Sequence, residues 1–191
     1  MQLMDKNLED IIQLCLKNNR KAQYDLYQWC YPFLMRICVR YQRNTDDAVA
    51  LLNDGFLKIL LGLESYDKNR SFISWINTLM IRTAIDLYRK ERKHIDNLHY
   101  LDEDRSMEEL PQAVSNELLE KLDEDEILGM INNLPETEKQ VFNLFEIDGY
   151  SHNDIAEMLN ISERTSKRYL HRAKQLLIGA LEKKTSFKKV V

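Results

Sequence analysis

Arg164, Lys167, Arg168, His171 and Gln175 recur through ERTSKRYLHRAKQLL, and stepped at about 100° per residue they share one side of a helix. The chemistry open to such a row is non-covalent. Guanidinium and ammonium groups neutralise phosphates and release counterions, and arginine forks pair with guanine edges in a DNA major groove. A second row, Trp75, Arg82, Asp86, Arg89 and Lys93, stands in SFISWINTLMIRTAIDLYRKERK. An indole in line with cations suits a surface that stacks an unpaired base and neutralises its strand; the same spacing suits an indole that closes the edge of a core. The first row also has two readings, a DNA-reading face or the solvated basic side of a helical hairpin. No nucleophile motif, phosphate loop or metal cluster accompanies either row, and His94, His99, His152 and His171 are scattered. Neither catalysis nor a metal or other cofactor is expected.

The first row needs a helix to carry it and a second helix to hold that one. Ser151 and Asp154 form a Ser-x-x-acid capping box at the start of a short helix that offers Ile155, Ala156 and Leu159 for packing. Asn160 tolerates the left-handed turn that must follow, Ile161 is placed to plug the gap, and Ser162 caps the next helix. On that helix Leu170, Ala173, Leu177, Ala180 and Leu181 oppose the cations. One side packs and the other is charged, the layout of a helix-turn-helix.

Composition fits an all-α chain. Of 191 residues only 5 are Gly and 3 are Pro, and Leu, Ile, Lys, Glu and Asn are abundant. No apolar run approaches the roughly 18 residues of a membrane span, and MQLMDKNLEDII lacks a basic start with a greasy block behind it, so a cytoplasmic protein without membrane insertion is expected. Cys15, Cys30 and Cys38 are odd in number and without metal-ligand spacing, which makes them reduced core thiols. The net charge of −4 conceals a pattern. Cations prevail from Arg82 to Lys93 and from Glu163 to Lys184, whereas the acids from Asp96 to Glu126 are offset only by Arg105 and Lys121.

Along the chain, helices are expected over Asp5–Asn18, with Leu8, Ile11, Ile12 and Cys15 inward, and over Lys21–Tyr41, with Tyr24, Tyr27, Phe33, Leu34, Ile37 and Tyr41 as core. Pro32 should kink or divide the second. The next, Asp46–Leu63, is capped by Thr45 or Asp46 and buries Ala48, Leu51, Leu52, Phe56 and Ile59. After the polar loop Glu64–Arg70 comes a helix over Ser71–His94 whose core face is Phe72, Ile76, Leu79, Met80, Thr83 and Leu87. Periodicity fades over Ile95–Leu122, read as an acidic linker with one short helix in Ser115–Lys121 that could lie against the basic faces when DNA is absent. A helix from Asp123 then carries Ile127, Met130 and Ile131, and Pro135 opens Glu136–Asp148, with Val141, Leu144, Phe145 and Ile147, before Gly149 stops it. The organisation is an N-terminal helical bundle (1–94), a linker (95–122) and a helix-turn-helix domain (123–183), with a basic tail.

LPETEKQVFNLFEIDGYSHNDIAEMLNISERTSKRYLHRAKQLL resembles region 4 of the sigma-70 family in its small extracytoplasmic-function group. Residues from about Tyr24 to Lys93, with DDAVALLNDGFLKIL and SFISWINTLMIRTAIDLYRKERK, resemble region 2. The resemblance implies a bacterial initiation factor that binds core RNA polymerase, and an anti-sigma factor as a further partner. By position, Asp47, Leu51, Leu52, Asn53, Asp54 and Phe56 would meet the beta-prime clamp coiled coil, with Phe56 equally suited to the core. Trp75, Arg82, Asp86, Arg89 and the Glu64–Arg70 loop would hold the melted minus-ten strand of promoter DNA. Region 4 would dock on the beta flap and read the minus-thirty-five element through Arg164, Thr165, Ser166, Lys167, Arg168, His171 and Arg172.

The chain departs from the family's pattern in three places. Where Ala-Glu-Asp-Leu-Val-Gln-Glu is usual it has Ala48-Val49-Ala50-Leu51-Leu52-Asn53-Asp54; Arg82 replaces a usual Asn, and Arg164 a common Gly. Two other functions compete on these residues: a decoy that sequesters an anti-sigma factor, and a stand-alone helix-turn-helix repressor.

Overall fold

The structure is a computed structural model that describes residues 8–95 and 123–188, with side chains to 92 in the first stretch and to 184 in the second. The acidic linker, its expected short helix and the end of the tail lie outside the described residues, as does the side chain of Lys93. The chain falls into two compact units, 1–88 and 89–191. The division lies inside one helix that continues to Ile95 and is treated with the first unit. Among the described residues all regular structure is helical, and no helix is long and apolar enough to cross a membrane.

The first unit contains α1 (Leu8–Leu16), α2 (Arg20–Tyr41), α3 (Thr45–Gly62), a 3-10 turn (Leu63–Ser65) and α4 (Phe72–Ile95). α1 buries Ile11, Ile12 and Cys15 against α2. It stops where Asn18 turns left-handed at φ 57°, and Asn19 caps α2 by accepting the Ala22 amide at 3.0 Å. α2 runs unbroken through Pro32. Pro32 sits on the exposed side, where water can satisfy the carbonyl that a proline nitrogen cannot reach, so the expected division of this helix does not occur.

The inward side of α2 is Ala22, Leu26, Cys30, Leu34, Ile37, Cys38 and Tyr41. Tyr24, expected in the core, is off this stripe and exposed; Tyr27 and Phe33 are half-buried. α3 is capped by Asn44 rather than Thr45 or Asp46: the Asn44 Oδ1 accepts the Asp47 amide at 2.8 Å. Asp46 and Asp47 then occupy the first turn, where the helix dipole favours acids. α4 turns a broader face inward than expected. Phe72, Ile76, Met80 and Thr83 are buried together with Ile81, Ala84, Ile85 and Tyr88, while Leu79 and Leu87 are only half-buried. All three cysteines are free and buried. Burial raises their thiols, Cys15 to about 11 and Cys30 and Cys38 to about 12.

The second unit contains α5 (Glu124–Asn132), α6 (Glu136–Phe142), a π-helical turn (Asn143–Ile147), α7 (His152–Leu159) and α8 (Glu163–Lys188). Asp123 caps α5, and Lys184 ties its Glu126 to α8 at 2.6 Å. α6 and α7 both pack on α8. Val141 and Leu144 are core as expected, but so are polar residues: Glu138, Lys139, Gln140 and Asn143 are all buried. Three of them have a charged or amide partner that offsets part of the cost of burial, although the Gln140 Oε1 and Asn143 Oδ1 are enclosed without a hydrogen bond. Lys139 lies 3.1 Å from Glu136, Glu138 lies 3.2 Å from Arg172 of α8, and Gln140 donates to Glu136 at 2.7 Å. Gly149, at φ 77°, turns the chain into α7.

Candidate nucleic-acid interface

The joint between α7 and α8 forms as its residues require. Ser151 accepts the Asp154 amide while Asp154 accepts the Ser151 amide, a complete capping box. Asn160 closes α7 in the left-handed region, at φ 54° and ψ 50°. Ser162 accepts the Thr165 amide at 3.0 Å and so starts α8. Ile161 is half-buried, and Ile155, Leu159, Leu170, Ala173 and Leu181 form the packed side.

The seven residues expected to read DNA do not all face outward. Arg164 and Lys167 are exposed and Arg168 is half-buried, its guanidinium 5.7 Å from the Tyr169 ring centre. Lys167 is paired with Glu163 at 2.6 Å along α8, a contact between exposed groups that solvent screens and that is therefore free to exchange for phosphate. Thr165 hydrogen-bonds through its hydroxyl to Ser162 at 2.7 Å. Ser166 is fully buried, so it is no reader. It lies four residues before Leu170 and seven before Ala173, on the packing side, and its Oγ is 2.9 Å from His152 Nδ1. His171 is half-buried with its Nε2 enclosed. Arg172 is drawn toward the buried Glu138 carboxylate.

In the first unit the expected stripe lies along α4. Arg82, Asp86 and Arg89 are exposed and Trp75 is half-buried. The Trp75 indole packs near Tyr66 and Phe72, ring centres 5.2 and 5.6 Å away, and over Gly62, where a Cβ would lie 3.2 Å from Cζ2. It therefore covers the core edge beside the loop. Asp86 receives Lys58 from α3 at 3.5 Å, a cation absent from the expected set. The loop is ordered by its own bonds: the Tyr66 hydroxyl donates to the Arg70 carbonyl at 2.5 Å, Asp67 accepts from Asn69, and Lys68 pairs with Glu9 of α1 at 3.2 Å.

Of the six residues assigned to polymerase contact, Leu51, Leu52 and Phe56 are buried in their own unit and cannot touch a partner without opening it. Asp47, Asn53 and Asp54 are exposed; Asn53 accepts the Tyr27 hydroxyl at 3.2 Å. On the same helix Leu57 and Leu61 are 57% and 75% exposed. On a helix wheel these leucines belong with Asn53 and Asp54 and not with the buried side of α3, a placement the sequence reading does not use. Among the described residues no group of His, Cys, Asp and Glu could hold a metal ion.

A cationic helix seated on a capped partner through a left-handed turn, with a second unit carrying an indole and arginines on one long helix, defines a helix-turn-helix protein built of two helical units. Two family descriptions match it in chain order: Sigma-70 region 2 over residues 26–94, and Sigma-70, region 4 over residues 117–177. The ECF RNA polymerase sigma factor SigW of Bacillus subtilis is 25% identical over 187 residues, spanning 91% of this chain and 96% of its own. The ferric citrate uptake sigma factor FecI of Escherichia coli is 24% identical over 151 residues, 78% of this chain and 84% of its own. In fold, the sigma factor RpoE of Bartonella quintana, solved with the anti-sigma factor NepR, superposes with a TM-score of 0.50 at 19% identity, covering 83% of this chain and 97% of that one. The chain belongs to the sigma-70 family, in its extracytoplasmic-function group.

Proposed function

We propose that the protein directs bacterial RNA polymerase core to specific promoters and opens them there. The observation that carries this reading is the pair of region matches in order, one centred on each unit, together with the outward cations of α8. Residues 1–94 serve polymerase and minus-ten binding, 123–183 serve minus-thirty-five binding, and 95–122 tether them. Arg164, Lys167 and Arg168 enter the major groove, with Thr165 at the helix start. Trp75, Arg82 and Arg89, with Lys58 and Asp86 alongside, hold the unpaired minus-ten strand, where stacking replaces the lost base pairing. The face of α3 with Asp47, Asn53, Asp54, Leu57 and Leu61 takes the beta-prime clamp coiled coil, and the second unit takes the beta flap. Likeness to a sigma factor solved with its anti-sigma factor supports a regulator of that kind as a further partner.

Run-off transcription with purified core polymerase tests this: promoter-specific transcripts are expected with the protein and absent without it. Ala50 stands exposed where the family carries an acid, which keeps the decoy as the second reading. A decoy would sequester an anti-sigma factor and yield no transcript.

A further inference from the structure

His152 is the first residue of α7, directly after the cap Ser151. Three segments meet on its ring. Its Nδ1 lies 2.9 Å from the Oγ of Ser166 in α8, and the Phe145 ring of the π-helical turn stacks on it with centres 4.3 Å apart and planes at 21°. Ser166 is fully buried. A buried hydroxyl is costly unless hydrogen-bonded, and here the imidazole meets it from across the joint, which favours α8 turned toward His152. Side chains on a helix step by about 100°, and Lys167 and Arg168 are the next two residues. The direction of Ser166 therefore sets theirs.

We propose that His152 is a positioning residue for promoter reading: held flat by Phe145 and bonded to Ser166, it fixes the rotation of α8 about its axis and so aims Lys167 and Arg168. This rests on the reading of α8 as the helix that enters the groove. The Ser166 hydroxyl can donate to the uncharged ring or accept from the protonated one, so any pH dependence comes from what surrounds the ring and not from the bond itself. Burial first, then Lys167, push the imidazole below its usual range; Glu163 and Glu146 oppose this less strongly, and Lys174 adds to it. Both acids are engaged, Glu163 by Lys167 at 2.6 Å and Glu146 by Lys174 at 2.7 Å. The start of α7 also disfavours a cation there. With the folded pKa below the unfolded one, the stabilisation is complete above the unfolded value, about 6.5. It is lost as pH falls through the folded value. A histidine that merely faced phosphate would strengthen DNA binding over the same interval.

Hydrogen exchange of the full-length protein, with α3 peptides as internal reference, provides the test. From about pH 7.5 to about pH 5.5, protection of residues 163–177 should fall roughly threefold or more relative to α3 in the wild type. It should stay level in His152→Asn, whose amide can meet Ser166 without titrating, and be low at both pH values in Ser166→Ala. Equal pH dependence in the wild type and His152→Asn would overturn the proposal. Should His152→Asn lose protection already at the higher pH, the His152 ring proton signal of the wild type decides: a midpoint below about 6.5 supports the proposal and one at or above it defeats it. Absence of promoter-specific transcripts from every variant would count against the proposed function and leave the exchange result standing.

Discussion

Met80 fills the space that Gly55 leaves open: a Cβ built on that glycine would lie 2.6 Å from the methionine Sδ, and the same sulfur is 3.6 Å from Cys38 Sγ. One small residue on α3 thus lets α4 and α2 meet at a single thioether.

Gly55→Val should therefore overpack the first unit and cost about 1–3 kcal/mol, although valine is the better helix former. Met80→Ala alone should cost about 2–5 kcal/mol. Combined, they should cost less than their sum, because each relieves the defect of the other. Urea unfolding followed by Trp29 and Trp75 fluorescence measures this; strict additivity would refute the interlock.

Leu57→Asp and Leu61→Asp should weaken capture of core polymerase by roughly tenfold or more while shifting stability by less than about 0.5 kcal/mol, since neither side chain is in the core. Leu51→Ala should do the reverse, losing about 2–5 kcal/mol of stability. A pull-down and an unfolding curve on the same preparations separate the two cases.

Arg168→Ala should lower discrimination at the minus-thirty-five element by about 1–3 kcal/mol with polymerase binding unchanged. Lys167→Ala should weaken all DNA alike and reduce the salt dependence by about one phosphate contact. Competition binding of holoenzyme to promoter variants at several salt concentrations checks both; unchanged promoter choice in Arg168→Ala would remove that arginine from the reading set.

Cys15, Cys30 and Cys38 should resist a thiol-reactive dye at neutral pH and react fully once urea unfolds the chain, because burial keeps them as thiols and only thiolates attack. Their stabilising share persists below the ordinary thiol value and is lost as pH rises toward 11 for Cys15 and 12 for the others. Rapid labelling of the folded protein would contradict the buried placement.

Local signals were the easiest to read from sequence. Ser151, Asp154, Asn160 and Ser162 each act on amides within a few residues, and each does in the structure what its chemistry suggests. Faces were harder. Ser166 and Arg172 were grouped with the readers by likeness, although helical arithmetic alone puts Ser166 beside Leu170, and the pull on Arg172 comes from Glu138, many residues distant in sequence. Tyr24 is expected in the core and is exposed, because residue type signals a preference for burial, but which side of a helix is covered depends on where its neighbours lie. Glu138 and Lys139 show the converse, since nothing in a charged tetrapeptide announces that pairing will let it be enclosed.

Asn160 adopts a left-handed conformation while keeping a side chain. A glycine would reach that corner without steric penalty, yet would roam a wider range of shapes once the chain is denatured. Asparagine narrows that range, so the hairpin of α7 and α8 begins each refolding attempt from fewer starting geometries, which offsets part of the strain held in the native corner.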